Sequence, residues 1–98
     1  MTPFKELDPL LHSQLRLAII SILISVDRAD FTYLREKTEA TAGNLSVQIG
    51  KLKEAGYISV SKSFGESYPQ TMCSITDLGR RRFAEYVAAL NGYLKPEA

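Results

Sequence analysis

The sequence has one cysteine, one histidine, no tryptophan and a net charge of only +1 over 98 residues. A lone Cys73 and a lone His12 cannot build a disulfide framework or a Cys/His zinc centre within one chain, so no metal and no cofactor are expected. There is no paired-carboxylate signature, no nucleophile–histidine–acid motif and no phosphate-cradling glycine loop, so an enzyme is not expected either. The longest apolar run, Leu17 to Val26, is broken by Ser21 and Ser25 and is about half of what a bilayer span requires. The start of the chain, Met1 to Glu6, has no basic leader followed by an apolar stretch. The expectation is a cytoplasmic protein with no membrane association.

What is present is ordinary for a folded chain: 45% hydrophobic and 23% charged residues in a length suited to one core. The expectation is a single domain over residues 1–98. Charge is unevenly placed. Between Ala42 and Lys62 there are Lys51, Lys53 and Lys62 against Glu54, whereas the first thirty residues hold more acids than bases. A weak cationic bias in one segment suits phosphate contact better than the total suggests.

Periodicity orders the elements. Leu15, Ala18, Ile19, Ile22, Leu23 and Val26 fall on one face of a helix with Ser13 as its N-cap. Leu17, Ile20 and Ile24 form a second apolar stripe on the opposite side, which a single packing surface would leave in water. Asp27 to Asp30 interrupts the pattern, and Thr32 caps a short helix anchored by Leu34. After a tight connection at Thr38 to Thr41, a third helix carries Leu45, Ile49 and Leu52 inward and ends at Gly56. Its other side presents Gly43, Asn44, Val47, Gly50, Lys51 and Glu54, a small, polar and cationic face fit for a groove. Tyr57 to Phe64 and Thr71 to Ile75 alternate at period two and predict a β-hairpin with a six-residue tip. Thr76 caps a last helix, about residues 76–95, whose stripe is Gly79, Phe83, Tyr86, Val87, Leu90 and Leu94.

The fold class implied is mainly α with a small β-hairpin, an α+β arrangement in the order α-(β)-α-α-β-β-α. A helix, a turn and a second helix followed by a hairpin is the layout of a winged helix-turn-helix, in which the later helix enters the major groove.

Several segments carry a resemblance to a known family. Asp8-Pro9-Leu10-Leu11-His12-Ser13, Arg16-Leu17, Gly43-Asn44-Leu45-Ser46, Lys51-Leu52-Lys53-Glu54-Ala55-Gly56-Tyr57 and Thr76-Asp77-Leu78-Gly79-Arg80 are similar to the bacterial-type winged-helix transcriptional regulators related to the MarR and ArsR groups. The resemblance implies a major-groove helix holding Asn44, Ser46 and Lys51, a wing on backbone or minor groove, and terminal helices that form a homodimer.

The DNA-contacting set expected is Thr41, Gly43, Asn44, Ser46, Val47, Gln48, Lys51, Lys62 and Tyr68. Gln48, at the edge of the core face, is as well placed to bond its own protein as a base. The dimer set expected is Leu17, Ile20, Ile24, Phe83, Tyr86, Val87, Leu90 and Leu94, because so much apolar surface in a short chain calls for a partner. Arg16 would reach a phosphate or brace that dimer. Arg80, Arg81 and Arg82 point in successive directions and read as solvated, His12 as a structural turn residue, and Cys73 as a small buried side chain.

The leading function is therefore a homodimeric regulator, a repressor, on a pseudo-palindromic operator in double-stranded DNA, with any small-molecule effector unknown. The alternative is a winged helix turned protein-interaction module. The hairpin tip, Gly65 to Gln70, favours it by offering one carboxylate and no cation.

Overall fold

The computed structural model describes residues 2–64 and 69–96, with backbone only at 63, 64 and 69. Helix α1 runs Gln14–Val26, strand β1 Arg28–Asp30, α2 Phe31–Thr38, α3 Ala42–Glu54, β2 Ile58–Phe64, β3 Pro69–Ile75 and α4 Asp77–Leu94. The strands form one antiparallel sheet in the order β1-β3-β2, with Ala29 and Val60 both opposite Cys73 on the central strand. The winged helix-turn-helix architecture is thus present with its optional first strand in place.

The core is built on α1. Ile19, Ile20 and Leu23 are fully buried, joined by Leu11 ahead of the helix, Leu34 of α2, Leu45 and Leu52 of α3, and Ile58 and Cys73 of the sheet. Ser13 is the N-cap residue of α1, but its side chain makes no capping bond. The helix stops at Asp27, which takes a positive φ of 68° while its N–H still bonds Leu23 O. Short polar side chains tolerate that region best among non-glycine residues.

Helix α2 begins two residues earlier than a Thr32 cap would place it. Its cap is Asp30, whose Oδ1 accepts the Tyr33 N–H at 2.8 Å, so Thr32 lies inside the helix. Both residues are of capping type; Asp30 prevails because β1 holds it extended against Met72. Glu39, left-handed at φ 57°, ends α2 and leads through Ala40 to Thr41, which accepts the Asn44 N–H and opens α3.

The end of α3 is a Schellman motif. Gly56, at φ 83°, donates to Lys53 O, and Tyr57 donates to Leu52 O. Helix α4 abuts this corner: the Thr76 hydroxyl lies 2.7 Å from Gly56 O and accepts the Gly79 N–H. A Cβ at Gly79 would sit 2.1 Å from Tyr57 O, so only glycine admits the approach. Helix α3, the hairpin and α4 are thereby joined at one point.

Strand β3 begins two residues earlier than expected. Pro69 and Gln70 belong to β3, opposite Phe64 and Ser63; proline is tolerated at the first residue of a strand, where no ladder donor is required.

Candidate nucleic-acid interface

Leu45, Ile49 and Leu52 turn one side of α3 into the core, which leaves the opposite side outward. Gly43, Asn44, Ser46, Val47, Gly50, Lys51 and Lys53 are all exposed there, Val47 by 54%. No atom outside the helix lies within 4 Å of where a Cβ would stand at Gly43 or Gly50. The middle of this face is therefore a low strip, Gly43, Val47 and Gly50, flanked by amide, hydroxyl and ammonium groups.

The other expected contacts divide. Thr41 is exposed, but its hydroxyl oxygen is engaged as the α3 cap. Lys62 is exposed on β2. Tyr68 lies outside the described residues. Gln48 is half-buried and bonded at both ends: Oε1 accepts from Arg16 Nη1 at 2.5 Å and Nε2 donates to Asn44 Oδ1 at 3.0 Å. Arg16 is accordingly a tie between α1 and α3, with its Nε donating to Leu10 O at 2.6 Å. It is engaged within the chain, where the sequence had left it to a phosphate or a partner. Lys53, an exposed cation beside Lys51 in the last turn, was not singled out by sequence; only the charge count pointed to it.

The expected dimer residues divide as well. Ile20 is fully buried and Tyr86 4% exposed, with the His12 Nδ1 and Tyr86 hydroxyl hydrogen-bonded at 2.9 Å. Both belong to the chain's own core, since α1 is covered on more than one side and the segment before it folds back over α4. Leu17, Ile24, Phe83 and Leu90 are half-buried, whereas Val87 and Leu94 are 40% and 68% exposed.

The Tyr57 phenol and the Cys73 thiol are both shifted upward from their usual range. Burial, and behind it the hydrogen bond to Asp8, pushes the Tyr57 phenol up to about 12. Burial alone pushes the Cys73 thiol up to about 11, which keeps it a neutral core side chain. Among the described residues no helix is long and apolar enough to cross a membrane.

Residues 15–94, from the second residue of α1 to the end of α4, match the family described as the winged helix DNA-binding domain. An uncharacterised protein of Methanocaldococcus jannaschii is 34% identical over 76 residues, covering 78% of this chain and 83% of that protein. The solved structure of a transcriptional regulator homologue from Pyrococcus horikoshii superposes with a TM-score of 0.83 at 25% identity, over 89% of this chain and 86% of the other. YusO of Bacillus subtilis superposes with a TM-score of 0.73 at 15% identity, over 93% and 60%, a likeness of fold.

Proposed function

Because the chain belongs to the winged-helix DNA-binding domain family, we propose that it is a non-enzymatic transcriptional regulator that reads a pseudo-palindromic operator as a homodimer and represses by covering a promoter. The observation that carries this reading is the low strip on α3. A glycine in a helix interior costs about 1 kcal/mol against alanine, and Gly50, in mid-helix, does not return that cost through packing inside the chain. A helix that must lie close to the floor of a groove about 12 Å wide gives it a reason. Val47 is then placed for a thymine methyl, Asn44 and Ser46 for base edges or phosphate, and Lys51, Lys53 and Lys62 for phosphates.

The homodimer is supported by shape and by surface. The radius of gyration is 14.9 Å, against about 13 Å for a compact chain of this length. Of its 18 described residues α4 buries only Gly79 and Tyr86, and it leaves Val87 and Leu94 exposed. In this reading residues 1–98 form a single DNA-binding domain working in the cytoplasm, and residues 76–95 add the dimer contact. A two-fold dimer sets two α3 helices about 34 Å apart, one turn of DNA, or at a multiple of it. The name of the Pyrococcus horikoshii relative as a transcriptional regulator homologue supports the same assignment.

The test is selection of duplexes from a random library at roughly 0.1 M salt, then a salt titration of the best sequence. An inverted repeat should emerge, with affinity falling steeply as salt rises. Asn44→Ala and Lys51→Ala should abolish the selection while leaving the dimer intact in sedimentation. Absence of any enriched sequence would sink the proposal.

A further inference from the structure

Arg16, Gln48 and Asn44 form a chain of side chains from α1 to the exposed start of α3. Its chemistry has a direction. A guanidinium carries only donors and keeps its charge at any ordinary pH, so the end of the Gln48 amide that meets Arg16 is its oxygen. The other end is therefore NH₂, also donor only, and the end of the Asn44 amide that meets it is Oδ1. The Leu10 carbonyl holds Arg16 from behind at 2.6 Å. Asn44 thus turns Oδ1 toward Gln48, where one of its two lone pairs is taken, and keeps its Nδ2 protons for an outside partner, on an exposed residue in the first turn of the helix.

We propose that Arg16 is a positioning residue that, through Gln48, orients Asn44 to present its donor outward and so to select guanine over adenine. The proposal rests on α3 being the DNA-reading helix. Asparagine pairs with adenine by offering Oδ1 and Nδ2 together to N6 and N7. The bond from Gln48 runs along the helix, from one turn to the next, and holds Oδ1 in that direction instead of toward a base edge. Guanine presents two acceptors in the major groove, O6 and N7, and asks only for donors.

Random-duplex selection with the full chain tests this. The base pair whose preference vanishes in Asn44→Ala marks where Asn44 reads. At that pair the wild type should enrich G·C, with discrimination on the order of tenfold or more over A·T. Gln48→Glu has no donor for Asn44, so the Asn44 amide turns over, Oδ1 comes outward, and the enriched pair becomes A·T. Arg16→Lys, still donor only, should keep G·C, and Arg16→Met should flatten the preference. Side-chain amide exchange without DNA supplies a second reading on the same proteins: slow Gln48 NH₂ and fast Asn44 NH₂ protons in the wild type, slow Asn44 NH₂ protons in Gln48→Glu. Enrichment of A·T by the wild type, an unchanged pair in Gln48→Glu, or a uniform loss across all sequences would overturn the proposal while leaving DNA reading in place. A wild type that enriches nothing removes both.

Discussion

The Tyr57 phenol donates to Asp8 Oδ2 at 2.6 Å and so ties the corner between α3 and the hairpin to the segment that precedes α1. Tyr57→Phe should lower stability by about 2 kcal/mol, the usual range for a hydrogen bond to a charged group, as read from urea unfolding at neutral pH. The pH dependence follows from the raised phenol. Its contribution is fully present below pH 10, the ordinary tyrosine value, and is lost as pH rises through about 12. The buried Cys73 thiol acts in the same direction from pH 9 to about 11. Wild-type stability should therefore decline across this alkaline window, and Tyr57→Phe should flatten its upper part.

Gly79→Ala should destabilise by about 3 kcal/mol, since the new Cβ meets the Tyr57 carbonyl, a backbone atom that cannot step aside. Calorimetry should show the melting temperature lowered by roughly 15 °C for a chain of this size. An unchanged melting temperature would mean that α4 is not held against that corner.

The two candidate caps of α2 can be told apart by paired substitutions. Asp30→Ala removes the acceptor for the Tyr33 N–H and should cost about 1 kcal/mol. Thr32→Ala lies inside the helix and should stay within roughly 0.5 kcal/mol of the wild type. Chemical denaturation of both variants checks the difference.

Gly50→Ala separates folding from DNA reading. With open space around the new methyl group, the helix should gain about 0.5–1 kcal/mol. Operator affinity should fall, because the added carbon holds α3 away from the groove floor. A variant that is both more stable and a better binder would contradict the close approach.

Val87→Lys with Leu94→Lys, both exposed on α4, should convert the proposed dimer to a monomer in sedimentation while leaving the thermal transition cooperative. Each places a charge where the partner's apolar surface would lie.

The long elements were legible because their periodicity spans several turns. The α3 core triad, the Gly56 stop and the Thr41 and Thr76 caps all fell where spacing placed them. Strand β1 was not legible in this way: three residues hold no period, and Ala29 is a strand residue only because Cys73 arrives from far along the chain. The same reason explains Ile20 and Tyr86. Helical spacing told which side each lay on, but not that the chain itself covers that side, as the segment carrying His12 does over Tyr86. For the candidate site, the exposed face of α3 followed from the core face opposite it. The Arg16 tie did not, since it joins residues on two helices whose meeting is a tertiary event.

The placement of β3 at the centre of the sheet bears on how the protein is born. During synthesis α1, α2 and α3 emerge before the strand that both β1 and β2 need as a neighbour. A nascent chain halted before Pro69 holds α3 but no sheet, and β1 and β2 have no strand to pair with. The sheet beside α3 is thus complete only with the last third of the chain, and a truncated product carries that helix without the frame that orients it.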